Sequence, residues 1–121
     1  MFQIGLLIFL GGGLGSLARY SVTLGVKQFS DGTIPFATLI SNVLACAVMG
    51  IALGIFNTKF DSSANLKAFV VIGFCGGFST FSTFSAETVD IFRRGEFLLG
   101  AANIVASLGL CMIVLAALIK K

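Results

Sequence analysis

The chain has 121 residues, of which 57% are hydrophobic and 11% charged, and its mean hydropathy is +1.06. These values exclude an ordinary soluble domain of this size and predict a single membrane domain covering residues 1–121. The net charge is only +3 and the basic residues are not clustered, so they do not predict a nucleic-acid partner.

Four apolar stretches account for almost the whole chain, and each is about long enough to cross a hydrocarbon core of roughly 30 Å. They predict an all-α membrane protein with four transmembrane helices, at about residues 2–26, 34–56, 66–92 and 97–119. The first stretch lacks the basic n-region and cleavage site of a signal peptide, so we predict that it is retained as a span.

One residue type that carries much enzyme chemistry is missing from the chain. There is no histidine, which removes the usual zinc and hydrolase constellations, and we predict that the protein is not an enzyme. Cys46, Cys75 and Cys111 are odd in number and each falls within a span. This argues against a disulfide framework and favours thiols packed as small apolar side chains.

The first span carries Gly11 and Gly15 at the GxxxG spacing, which permits close approach of another helix. Arg19 lies near the far end of this span. A snorkelling or interface-anchoring role for its side chain is slightly favoured over a direct functional role.

The second span places Thr38, Asn42 and Cys46 on one row of a helix, at steps of four residues. An asparagine in the apolar middle of a span needs a partner. An interhelical hydrogen bond is the simplest role for it.

The third span contains the segment GFCGGFSTFSTFSAE, residues 73–87. Gly76 and Gly77 weaken a helix here, and serines and threonines alternate with phenylalanines. Irregular backbone survives in lipid only where it is buried in protein or lines a wet cavity. We therefore predict that the third helix is broken near its centre, at a candidate ion or substrate site. A glycine kink with phenylalanine packing is the alternative.

Uncharged hydrogen-bond donors from three spans could converge on this break. They are Thr38, Asn42, Ser79, Ser82, Thr83, Asn103 and Ser107. Phe81 and Phe84 share one helix face, and the edge of a phenyl ring is electropositive. Ring edges and neutral donors could together replace water around a small anion without trapping it.

The backbone carbonyls at the break would attract a cation, whereas the ring edges and hydroxyl donors would attract an anion. Carbonyls released near Gly76 and Ser79 would accept a hard monovalent cation, and two antiparallel copies meeting there would form an oxygen cage. Glu87 is the one acidic residue clearly within a span. A near-interface carboxylate paired with another side chain and a vestibule role are equally good interpretations of it.

The distribution of Lys and Arg does not favour either orientation in the membrane. With four spans, each side of the membrane receives four of them: Arg19, Lys27, Arg93 and Arg94 on one side, and Lys59, Lys67, Lys120 and Lys121 on the other. Since the positive-inside rule depends on an excess, insertion in both senses fits the sequence. Copies of opposite sense would form an antiparallel, dual-topology homodimer.

The segments GGGLGSLARY, PFATLISNVLA and GFCGGFSTFSTFSAE, in this order, resemble the Fluc/CrcB family of fluoride channels over essentially the whole chain. The resemblance implies a dual-topology homodimer with two antiparallel pores. These pass fluoride by passive electrodiffusion, exclude chloride and lower fluoride toxicity in the cytoplasm. It also implies a structural sodium ion at the dimer centre. We expect the protein in the inner (cytoplasmic) membrane of a bacterium.

The resemblance also implies roles for individual residues. Phe81 and Phe84 look like the pore phenylalanines, and Asn42 looks like the asparagine that reaches the pore. The polar track would include Thr38, Ser82, Thr83 and Ser107, and the sodium ligands would be the carbonyls of Gly76 and Ser79. Further candidates are Arg19, Glu87 and Asn103. Asn103 and Cys111 stand where the family can carry an aromatic hydroxyl and a serine, and a thiol is a poor donor.

Two other classes fit parts of the pattern. A small four-span, dual-topology multidrug/proton exchanger would need a carboxylate at the membrane centre, and the first span has no Asp or Glu. A non-transporting assembly subunit would need close helix packing but no polar track.

Overall fold

A computed structural model of the chain describes residues 2–29, 35–58 and 64–119. Its elements are α1 (Phe2–Lys27), α2 (Phe36–Thr58), α3 (Ala64–Lys67), a π-helical segment (Ala68–Cys75), α4 (Gly76–Phe78), α5 (Phe81–Arg93) and α6 (Phe97–Leu118). Four helical stretches are long and apolar enough to cross a membrane: Phe2–Lys27, Phe36–Gly54, Ala64–Arg93 and Phe97–Leu118. The predicted all-α architecture with four spans is confirmed.

The spans lie within about two residues of their predicted limits, which is the usual uncertainty of a helix end. The third span, Ala64–Arg93, contains α3, the π-helical segment, α4 and α5. Of the basic residues in the charge comparison, Lys59, Lys120 and Lys121 lie outside the described residues.

Glycines allow α1 to lie directly on the third span. Gly11 and Gly15 are the buried residues of α1. A Cβ at Gly15 would collide with the carbonyl oxygen of Phe74, and a Cβ at Gly77 would collide with the carbonyl oxygen of Gly12. The two backbones are therefore in contact, as the GxxxG spacing predicts.

A glycine also ends α5 and turns the chain into α6. Gly95 has φ of 83°, a conformation that suits glycine because a Cβ would be strained there. Its N–H donates to the carbonyl of Phe92 at 3.0 Å, and the N–H of Glu96 donates to the carbonyl of Ile91 at 3.2 Å. This short connection makes α5 and α6 antiparallel neighbours.

Much of the outer surface of the single chain is apolar. On α1 the exposed side chains include Phe9, Leu14 and Leu17. An open groove of about 820 Å³ runs between α1 and the third span, and its lining includes small residues of α1, namely Gly12, Gly13 and Ser16, but not the rings of Phe81 and Phe84. In a membrane such a face contacts either lipid or another protein surface.

Candidate functional site: the break in the third span

The helix of the third span is interrupted at Ser79 and Thr80. Both have extended backbone, with φ −90° and ψ 158° at Ser79 and φ −154° and ψ 116° at Thr80. The break lies near the centre of the span, as predicted. Gly76 and Gly77, which weaken a helix, are nevertheless both helical. Gly77 instead provides room for α1 to pack closely.

Asn42 of α2 holds the break open by replacing hydrogen bonds of the helix. In an unbroken helix, the N–H of Thr80 would donate to the carbonyl of Gly76. Instead it donates to Oδ1 of Asn42 at 2.8 Å, and Nδ2 of Asn42 makes a longer contact of 3.5 Å with the carbonyl oxygen of Thr80. The partner predicted for Asn42 is therefore the backbone of another span.

Hydroxyl groups complete the two helix ends at the break. The hydroxyl of Ser79 donates to the carbonyl of Cys75 at 2.9 Å. Oγ1 of Thr80 accepts from the N–H of Thr83 at 3.2 Å and so caps α5. The hydroxyls of Ser82 and Thr83 each lie 3.2 Å from this same oxygen. Thr80 is absent from the sequence-predicted site, although the preference of threonine for the N-cap position could have indicated it.

Replacing Thr80 by valine removes the cap while keeping the shape of the side chain. We expect a loss of about 1 kcal/mol in stability, seen as a lower midpoint of thermal unfolding in detergent. Thr80→Ser keeps the oxygen and should stay close to the wild type. If Thr80→Val and Thr80→Ser unfold at the same temperature, the hydroxyl does not stabilise the start of α5.

The backbone carbonyls next to the break have lost their usual donors. The N–H of Thr80 donates to Oδ1 of Asn42 instead of to the carbonyl of Gly76. The N–H of Thr83 donates to the hydroxyl oxygen of Thr80 instead of to the carbonyl of Ser79. The carbonyl of Gly77 accepts from Nε of Arg19 at 3.2 Å. Arg19 is thus placed at the carboxyl end of α4, where a cation is favourable, and is half-buried.

The carbonyls of Gly76 and Ser79 suit a hard monovalent cation, because they are neutral oxygen donors released from the helical pattern. Among the described residues, no three His, Cys, Asp or Glu side chains are grouped so that they could hold a metal ion.

Phe81 and Phe84 lie together at the start of α5. Their ring centroids are 5.6 Å apart and the ring planes are inclined by 42°. Phe84 is 7% exposed and belongs to the core, whereas Phe81 is 72% exposed on the single chain. One ring therefore belongs to the packed interior, and the other lies on its outer surface.

A second polar group lies further along α5. Oγ1 of Thr88 donates to the carbonyl of Phe84 at 2.8 Å and accepts from Nδ2 of Asn103 at 2.8 Å. The hydroxyl of Ser107 lies 3.4 Å from Oδ1 of Asn103. Thr88, Asn103 and Ser107 are all buried. Thr88 is missing from the sequence-predicted set, although Phe84, Thr88 and Ile91 have the spacing of one buried helix face.

Replacing Thr88 by valine should leave the Asn103 amide without its acceptor. A buried polar group that loses its partner costs about 1–3 kcal/mol, so we expect a clear fall in the thermal midpoint. Thr88→Ser, which keeps the hydroxyl, is the control. Restoration of stability in a Thr88→Val, Asn103→Leu double variant would show that the unpaired amide causes the loss.

The polar side chains of the predicted site are thus divided between two places. Asn42, Ser82 and Thr83 lie around Thr80 at the break, whereas Asn103 and Ser107 lie around Thr88. Thr38 is buried within α2. Glu87 is half-buried, and its Oε1 is enclosed without a hydrogen-bond partner in the part of the chain that the structure describes.

Comparison with known proteins identifies the family. The family model described as "CrcB-like protein, Camphor Resistance (CrcB)" matches residues 6–118. Three similar proteins are each named "Fluoride-specific ion channel FluC". That of Pyrococcus abyssi is 43% identical over 102 residues (84% of this chain, 81% of the relative). That of Rhizobium johnstonii is 39% identical over 107 residues (88% and 86%). That of Methylobacterium radiotolerans is 37% identical over 117 residues (95% and 81%).

These matches confirm the resemblance drawn from the three sequence segments. The relatives are named as channels, so the chain is grouped with channels and not with enzymes. Its four apolar helices make it a multi-pass membrane protein. From the family match over residues 6–118 and the identities of about 40% over most of its length, this chain belongs to the CrcB family.

Proposed function

We propose that this protein is a fluoride channel, which releases fluoride from the cytoplasm by passive electrodiffusion and so lowers its toxicity. Its relatives are named for this ion. The observation that carries the proposal for this chain is the break at Ser79 and Thr80, which puts hydroxyls and free backbone groups inside an apolar span.

The start of α5 suits a small anion. The first N–H groups of a helix have no intrahelical acceptor, and the helix dipole is positive at this end. Only the N–H of Thr83 is taken by the cap, which leaves those of Phe81 and Ser82 without a helical acceptor. The hydroxyls of Ser82 and Thr83 add further donors. Because these donors are neutral, they replace water around fluoride without holding it as tightly as a bare cation would.

A second copy of the chain would complete the site. Phe81 is exposed beside the buried Phe84, so one wall of an aromatic passage lies open on the single chain. The groove along α1 offers small residues against which another helix could pack closely. An antiparallel homodimer, with its twofold axis in the membrane plane, would cover both features and contain two antiparallel pores. The even division of Lys and Arg fits insertion in both senses.

A sodium ion at the dimer centre is part of this proposal. The carbonyls of Gly76 and Ser79 lack their usual helical donors, and each of two antiparallel copies would contribute the same pair. The ion would supply positive charge to balance these carbonyl dipoles, which otherwise repel one another across the axis. We place the assembly in the cytoplasmic membrane of a bacterium.

The proposal is tested by reconstituting the protein in liposomes loaded with fluoride and chloride. When the membrane potential is shunted, an ion-selective electrode should record fluoride efflux while chloride stays inside. Phe81→Ile should lower this flux more than tenfold, because it removes a polarised ring edge. Phe97→Ile is the matched control, since Phe97 is also exposed and belongs to a different ring pair, with Phe92.

Absence of fluoride flux from a monodisperse wild-type preparation would contradict the proposal. Equal loss of flux in both variants would contradict the assignment of Phe81. Proton movement driven by an added cationic drug, without fluoride flux, would favour the exchanger instead.

A further inference from the structure

Helices α2 and α6 pack directly against each other. As the second and fourth spans they run parallel. Their register is fixed at Gly50, where a Cβ would lie 2.8 Å from Cβ of Leu118 and 3.5 Å from Cδ1 of Leu115. Cys46 lies one helical turn before Gly50 on α2, and Cys111 lies one helical turn before Leu115 on α6. The register therefore brings a cysteine of α2 opposite a cysteine of α6.

The two thiols lie at the same level of the contact between α2 and α6. Both residues are half-buried free cysteines. Cys75 of the third span is completely buried. The pair on α2 and α6 is therefore more accessible than Cys75.

We propose that Cys46 and Cys111 form a binding site for one soft, two-coordinate metal cation, of the class of Hg²⁺, Ag⁺ or Cu⁺. Thiol sulfur is the preferred ligand of such cations. A zinc ion would need about four ligands, but among residues 2–29, 35–58 and 64–119 no group of three or more His, Cys, Asp or Glu could hold a metal. A cation with linear coordination by two sulfur atoms needs no third ligand.

Binding is an exchange of protons for the metal. Two S–H bonds break, two metal–sulfur bonds form, and two protons are released to solvent. No electrons are transferred, so the step needs no oxidant. Because one cation is held by both helices, its binding cross-links α2 to α6 at this level of the membrane.

Two thiols should hold the cation far more strongly than one. Once the first sulfur is bound, the second is already in place, and such pairing raises affinity by about 10²–10⁴. The difference between the pair and a single thiol is therefore large enough to measure by competition with a monothiol.

The test uses purified full-length protein in detergent with one equivalent of mercuric chloride per chain. Increasing glutathione is added, small molecules are removed by gel filtration, and the mercury per chain is measured by elemental mass spectrometry. Wild type and Cys75→Ser should each retain one mercury. Cys46→Ser and Cys111→Ser should lose it at about 100-fold lower glutathione concentrations. Intact mass should show the gain of one mercury and the loss of two hydrogens in wild type and Cys75→Ser.

Retention by Cys46→Ser or Cys111→Ser equal to that of the wild type would overturn the proposal, as would loss of the metal from Cys75→Ser. Cys46→Ala and Cys111→Ala are measured in parallel. They remove the same thiols, so they replace a serine variant if that variant aggregates. The measurement involves no fluoride, and its outcome is therefore separate from that of the proposed channel function.

Discussion

Replacing Asn42 by alanine is expected to reduce fluoride flux at least tenfold in liposomes. The amide accepts from the N–H of Thr80 at 2.8 Å and contacts its carbonyl oxygen. Leaving both backbone groups unpaired in an apolar span would cost about 1–3 kcal/mol, which favours a return to helical hydrogen bonding. The N–H of Thr80 would then regain the carbonyl of Gly76 as its acceptor. That change moves Thr80 toward helical geometry and displaces the start of α5, on which the proposed anion donors depend.

The neighbouring Ser41→Ala is the matched control for this variant. Ser41 lies on the same helix and is completely buried, and its hydroxyl has no hydrogen-bond partner among the residues described. Removing that hydroxyl should leave flux unchanged and stability equal or slightly higher, since an unsatisfied buried group is lost. Equal flux in Asn42→Ala and wild type would mean that the amide does not support the conducting geometry.

Hydropathy was enough to predict the four spans, because a span is defined by a long run of apolar residues. The existence of a break in the third span was also predictable from its composition. The position of the break was not. Ser79 and Thr80 leave the helix because Asn42, 38 residues away from Thr80 along the chain, supplies the competing hydrogen bonds. A tertiary contact of this kind leaves no local pattern near Gly76 and Gly77.

The polar group around Thr88 was also not predictable from local sequence, because it depends on a contact between two helices. Within α5, Thr88 resembles any threonine on a buried helix face, and its hydroxyl already has a local acceptor in the carbonyl of Phe84. Its part in the site comes from Asn103, which the short connection at Gly95 brings alongside. Likewise, spacing placed Phe81 and Phe84 on one face, but it could not show that one is buried and the other exposed.

The hydrogen bond of Arg19 could not be predicted from its position in the sequence. Its place near the end of the first span is typical of a snorkelling side chain, yet Nε donates to the carbonyl of Gly77. Gly11, Gly15 and Arg19 follow one another at steps of four, so all three lie on the row of α1 that faces the third span. The close glycine contact is what brings the guanidinium within reach of the break.

Gly15→Ala is consequently expected to harm both stability and flux. Its Cβ would collide with the carbonyl oxygen of Phe74 and lie 2.8 Å from the backbone nitrogen of Phe78. Backbone atoms of a packed helix cannot move aside as a flexible side chain can, so α1 must shift away from the third span. Overpacking of this kind costs about 1–3 kcal/mol or more, and the shift also draws Arg19 away from Gly77. We expect a strongly lowered thermal midpoint in detergent, with fluoride flux reduced in whatever protein folds.

Gly25→Ala is the control, because it makes the same substitution in the same helix at a residue where an added Cβ meets nothing within 4 Å. Alanine is the better helix former by up to about 1 kcal/mol, so Gly25→Ala should equal or exceed the stability of the wild type. The two substitutions are chemically identical and differ only in what lies opposite each glycine. If both variants unfolded at the wild-type temperature, α1 and the third span would have to be further apart than their glycines place them, and Arg19 could not reach the carbonyl of Gly77.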